Sequence, residues 1–96
     1  MHIILLRFGE NASSAPRLMA DHNAWIGRGF ADGVFQCVGS LEVGGGFILA
    51  SDTASDAIQR RVDEDPFVAE GVVTAEIHAV DVKHAVPALE YLASTA

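Results

Sequence analysis

Residues 33–50 read GVFQCVGSLEVGGGFILA. Two apolar stretches, Val34 to Leu41 and Phe47 to Ala50, flank Gly44-Gly45-Gly46, so the spacing predicts two antiparallel strands joined by a tight glycine turn. Strict alternation in the first of these strands puts Val34, Gln36, Val38 and Ser40 on one face. Phe35, Cys37, Gly39 and Leu41 then lie on the other. The triple glycine is not a phosphate loop, because no lysine follows it and it leads into a strand. A hairpin at the middle of a chain of 96 residues makes the elements on either side decisive.

Upstream, residues 2–8 are almost wholly apolar, which suits a strand buried on both faces. Residues 9–14 read as a loop, with Ser13 or Ser14 able to cap a helix and Pro16 placed in its first turn. Leu18, His22, Trp25 and Ile26 recur at helical spacing, with Met19 beside them, and Gly33 supplies a left-handed stop. Downstream, residues 51–55 lead into a second helix, with Ser55 as the expected cap. Ala57, Ile58, Arg61 and Val62 form its narrow inner face, and it must stop before Pro66. A fourth strand runs from Val72 to Val82, with Thr74, Glu76 and His78 on one face and Ala75, Ile77 and Ala79 on the other. A tail helix follows from about His84 to Ala93.

The order β-α-β-β-α-β is the split βαβ, or ferredoxin-like, pattern. It predicts an α+β fold in which helices cover one face of a four-stranded antiparallel sheet. The uncovered face needs a partner, and a second copy of the chain packing sheet to sheet is the simplest one. The expectation is a single domain that forms a homodimer.

Composition narrows the partners. Half of the residues are hydrophobic, which argues against a disordered chain. The net charge is −7, and the six Lys and Arg residues are scattered, which argues against nucleic acid and anionic membrane surfaces. One or two local Arg residues could still hold a small anion. The longest apolar run is too short to span a bilayer. The start of the chain has no basic flank or small-residue cleavage site, and Arg7 comes early, so no signal peptide is expected. Cys37 is the only cysteine, so no internal disulfide forms, and a reducing cytoplasm suits it.

Four histidines are present, but no pair has the spacing of a helical zinc site and no cysteine cluster supports one, so no metal or other cofactor is expected. His22 stands out because it is in phase with Leu18 and Trp25 and must face the sheet. Two readings of it are open. It is a core histidine tied to a backbone carbonyl, or it is a general acid or base whose tautomer is held by a carboxylate. Asp65, directly before Pro66, is the candidate carboxylate, since the end of the second helix can approach the middle of the first. Its local alternative is to cap the turn that starts at Pro66, and two oxygens allow both roles. Ser40 lies near a strand end and could bind a substrate oxygen, without the setting of a covalent nucleophile. Arg7 could clamp a carboxylate or make a surface ion pair. Trp25 and Phe67 are core residues or pocket walls.

Three blocks carry a resemblance: DHNAWI at 21–26, VGSLEVGGGFIL at 38–49 and DEDPFVAEGV at 63–72. In order and spacing they resemble the YCII-related (YciI-like) proteins. That resemblance implies a dimeric α+β barrel fold and an active site built on a His–Asp pair, which falls here on His22 and Asp65. One branch of that family is similar to a dehydrochlorinase, and fold relatives include muconolactone isomerases. The expectation is a cofactor-independent enzyme acting on a small molecule by acid–base chemistry, and elimination or isomerisation fits best because one proton shuttle suffices and no covalent nucleophile is evident. Where the family often has Gly-Pro-Leu, this chain has Gly39-Ser40-Leu41, which changes the polarity of the pocket. The alternative from the residues alone is a non-catalytic dimeric binding or interaction module with a structural His–Asp pair.

Overall fold

The computed structural model describes residues 1–51 and 54–93. Strand β1 is His2–Phe8. A 3₁₀ turn, Ala12–Ser14, leads into helix α1, Ala15–Ala31. Strands β2, Phe35–Ser40, and β3, Gly46–Ala50, form the hairpin. Helices α2, Ser55–Asp63, and α3, Pro66–Ala69, precede strand β4, Val73–Ala79. The chain closes with a 3₁₀ segment, Pro87–Leu92.

The strands form one antiparallel sheet in the order β2-β3-β1-β4, the ferredoxin-like order. Register decides which residues share a face. Ile4 pairs with Ile48 and Ile77, and Leu6 pairs with Gly46 and Ala75, so these side chains point together toward the helices. Ile4, Leu6 and Ile48 join Leu18 and Trp25 of α1, Ile58 and Val62 of α2 and Phe67 of α3 in the core. The opposite face carries Ile3, Leu5, Phe47 and Leu49, with Arg7, Glu76 and His78 beside them.

Two glycines set how closely the layers approach. A Cβ on Gly29 would overlap the Phe35 ring, so α1 seats against β2 only because this position is bare. Gly45 has φ 96°, and a Cβ there would collide with the Leu6 carbonyl of β1. The glycine turn thus lies directly over the neighbouring strand.

Several expectations are corrected. A β-bulge falls between Phe35 and Cys37, with Gln36 as the extra residue. Phe35, Val38 and Ser40 therefore share the helix-facing side, where strict alternation separated Phe35 from the other two. The cap of α2 is Ala54, and the Ser55 hydroxyl lies 3.3 Å from His2 Nε2 instead. Ser14 stands at the N-cap of α1 but makes no side-chain cap bond. The tail is a 3₁₀ segment and not an α-helix, held across the sheet edge by Tyr91 Oη donating to Gln36 Oε1 at 2.8 Å. Asp52 and Thr53 of the loop before α2, and residues 94–96 of the tail, lie outside the described residues.

Candidate active site

The segment Asp65-Pro66-Phe67 forms the start of α3. Asp65 is extended, with φ −64° and ψ 122°, as a residue before proline must be. Pro66 occupies the first helical turn, where its missing N–H costs nothing. The Asp65 carboxylate then caps the helix, with Oδ1 accepting the Phe67 backbone N–H at 3.0 Å.

The same oxygen meets α1. His22 Nδ1 lies 2.8 Å from Asp65 Oδ1, and both side chains are buried, His22 to 11% exposure and Asp65 to 0%. A carboxylate that already caps a helix can only accept from the ring, so Nδ1 carries the hydrogen. In the neutral imidazole Nε2 then keeps its lone pair. The second carboxylate oxygen, Asp65 Oδ2, is buried and has no hydrogen-bond partner among the described residues.

Two aromatic rings hold the imidazole in place. Phe67 stacks on it, with centroids 3.9 Å apart and planes 4° from parallel. Trp25 stands behind at 5.9 Å, itself fixed by an edge contact to Phe35 and by Nε1 donating to the Arg61 carbonyl at 2.9 Å. Orientation and tautomer are thus both set before any ligand arrives.

His22 opens on a cavity of about 380 Å³ between α1 and the sheet, within the range of small-molecule sites. Helix α1 lends it Met19, Asn23 and Ile26, and β1 lends Leu6 and Phe8. Val38, Gly39 and Ser40 of β2, Phe67, Val73 and Ala15 at the start of α1 complete the wall, and Gly45, Gly46 and the start of β3 at Phe47 let the backbone come close. Nε2 has no partner among the described residues, so its lone pair is available to a molecule in this space.

The residues singled out from the sequence divide clearly. His22, Asp65, Phe67 and Ser40 gather here. Trp25 is 1% exposed and lies behind His22, off the cavity wall. Arg7 is on the opposite face of the sheet, bonded by Nε to Glu76 Oε1 at 2.7 Å, because its position in β1 is in phase with Ile3 and Leu5. It therefore clamps nothing in the cavity. Glu76 is held below the ordinary carboxylate range, first by that bond from Arg7 and then by His78. Asn23 was not singled out, and Ile26 was read only as part of the apolar stripe of α1. Their spacing from His22 and Met19 on α1 was the available signal. Of the other histidines, His2 is buried at the far end of β1, and His78 and His84 are exposed. Among the described residues, no group of three or more His, Cys, Asp or Glu is arranged to hold a metal ion.

No protein-family model matches the chain, and no curated protein matches it in sequence. A solved structure matches it in shape: 5-chloro-2-hydroxyhydroquinone dehydrochlorinase (TftG) from Burkholderia phenoliruptrix, in complex with 2,5-dihydroxybenzoquinone. The TM-score is 0.68 at 18% sequence identity, over 88% of this chain and 96% of the other. The two proteins share the ferredoxin-like α+β fold. Among the described residues, no helix is long and apolar enough to cross a membrane.

Proposed function

We propose that this chain is a cofactor-independent enzyme that moves a proton on a small cyclic or aromatic molecule, in a reaction of the elimination or isomerisation type. One observation carries the reading: a histidine whose Nδ1 is tied to a buried carboxylate presents an unpartnered Nε2 to a cavity of ligand size. In the proposed step Nε2 takes a proton from the substrate, and the Asp65 carboxylate stabilises the positive charge that builds on the ring. His22 returns the proton to another substrate atom to complete an isomerisation, or releases it to solvent after the leaving group has departed as an anion with the electron pair of its bond. The neighbour of like fold is a dehydrochlorinase, and loss of HCl calls for a base of this kind. No covalent nucleophile is required.

The test is proton exchange in deuterated water, followed by NMR across a panel of small phenols and cyclic ketones. The chain should speed exchange on at least one compound, and His22→Gln should abolish the effect while remaining folded. Undiminished exchange in His22→Gln would remove His22 from the chemistry.

The second reading is a binding module in which the pair is structural. The cap that Asp65 makes to α3 favours it, since this role needs no chemistry. On that reading ligands bind the cavity, and no compound of the panel exchanges faster with the protein than without it.

We also infer a homodimer packed through the open sheet face. Ile3, Leu5, Phe47 and Leu49 form an apolar strip there that the helices do not cover. Light scattering at micromolar concentration should give twice the chain mass, and Leu5→Glu should give the monomer. A wild-type monomer would refute this.

A further inference from the structure

The cavity wall is apolar except for His22, Asn23 and Ser40. No Lys, Arg, Asp or Glu lines it, and Asp65 is screened behind the imidazole. All six Lys and Arg residues are described, and each is committed elsewhere or points away. Arg7 pairs with Glu76, Arg60 with Asp56, Arg61 with Asp32 and Lys83 with Asp81. Arg17 and Arg28 follow the cavity residues Ala15 and Ile26 by two positions, about 200° around the helix. The start of α1 offers little in their place, because the Ala15 N–H already donates to the Ala12 carbonyl and Pro16 has none.

An anion seated against this wall gives up the part of its hydration that the exposed mouth at Phe8, Met19, Asn23, Val38 and Ser40 does not keep, and it finds a counter-ion only if His22 first takes a proton from solvent, in a chain whose net charge is already −7. A neutral molecule avoids this penalty. It also finds two hydroxyl- or carbonyl-binding side chains, Asn23 and Ser40, neither of which makes a hydrogen bond to another described residue.

We propose that the cavity admits its substrate uncharged, as a small apolar molecule carrying an ionisable hydroxyl, and discriminates against carboxylates and phosphates of the same size. This narrows the substrate class of the proposed proton-transfer site and rests on that reading for the step that follows binding. In that step the substrate O–H bond breaks and a bond from Nε2 to hydrogen forms. The electron pair stays on the substrate oxygen. The resulting imidazolium is the counter-ion for the new anion on one side and for Asp65 on the other. Charge is therefore generated inside the cavity in balanced form and is not carried in.

Two probes of matched size test this: 4-nitrophenol, below the midpoint of its ionisation in solution, and 4-nitrobenzoate. Isothermal titration should show the phenol binding at least tenfold more tightly than the benzoate. Asn23→Arg, which places a guanidinium at the wall, should reverse or erase that preference. A benzoate that binds wild-type protein as tightly as the phenol overturns the proposal, as does failure of both probes to bind. The absorbance of bound nitrophenol separates this from the reading it rests on. A phenolate band that disappears in His22→Gln supports proton capture by Nε2. A tenfold preference with no such band in the wild type leaves charge selection standing and removes His22 as the base.

Discussion

Alanine and asparagine at Asp65 should have sharply different consequences, because one oxygen accepts both hydrogen bonds. In Asp65→Ala the Phe67 N–H loses its cap, which costs about 1 kcal/mol. The His22 Nδ1–H is left buried without an acceptor, which costs about 1–3 kcal/mol. Removing the unpartnered Oδ2 returns part of this, so the net cost is about 2–3 kcal/mol, or a fall in melting temperature on the order of 10–20 °C for a domain of this size. In Asp65→Asn the two donors force the amide oxygen into the Oδ1 position. The amide nitrogen then occupies the place of Oδ2, and one unpartnered group replaces another. Stability should stay within about 1 kcal/mol of the wild type, and His22 should keep the same tautomer. What is lost is charge. A neutral acceptor holds an imidazolium about half as well as a carboxylate does, a deficit of about 1.4 kcal/mol and roughly a tenfold slower proton transfer. Thermal melts by circular dichroism and deuterium exchange by NMR read the two effects separately. If Asp65→Asn melts as low as Asp65→Ala, the shared-oxygen account is wrong.

Three further outcomes follow from the packing and charge. Gly29→Ala should destabilise by about 1–3 kcal/mol through overlap with Phe35, whereas Gly27→Ala on the same helix, with open space around it, should stabilise by about 0.5–1 kcal/mol; urea denaturation compares them. Phe67→Leu should cost about 1 kcal/mol and reduce the ring-current shift of the His22 carbon-bound protons, leaving the part due to Trp25 at 5.9 Å, since the ring stacked at 3.9 Å is the nearer source. Glu76, depressed by Arg7, should stay ionised to lower pH than an ordinary carboxylate. Its stabilising pairing is then full above the ordinary value and lost as pH falls through the depressed one, and Arg7→Ala should raise its NMR titration midpoint toward the ordinary value of 4.5.

The element order was legible because punctuation and period agree: Gly33 with φ 73° ends α1, the glycine turn joins β2 to β3, and Pro66 stops α2. The proximity of His22 and Asp65 was legible as a question, from a polar ring on an apolar stripe and an acid at the end of the facing helix. The direction of Arg7 was not. The strand before it is apolar at every position from Ile3 to Leu6, so the sequence carries no parity, and only pairing with β3 and β4 assigns the faces. Trp25 lies three residues from His22, near enough to share its stripe but turned inward by the helical rotation. Ser55 reads as a cap by residue type, yet its hydroxyl lies against His2, a contact between residues 53 positions apart. The bulge at Gln36 left no mark in a strand whose residues are apolar or small on both sides.

That bulge makes β2 two short strands spliced out of phase. Its first part is anchored by Phe35, which plugs the core beside Gly29 and admits little change. Its second part, Val38 to Ser40, belongs to the cavity wall and carries almost none of the core. The extra residue acts as a frameshift that lets the two parts vary independently. Substitutions at positions 38 and 40 can retune what the cavity accepts while the plug stays in place. Deleting Gln36 would leave Phe35, Val38 and Ser40 on one face of a regular strand, opposite Ala50, Ile48 and Gly46 as they are now, and would remove the acceptor that holds Tyr91 of the tail.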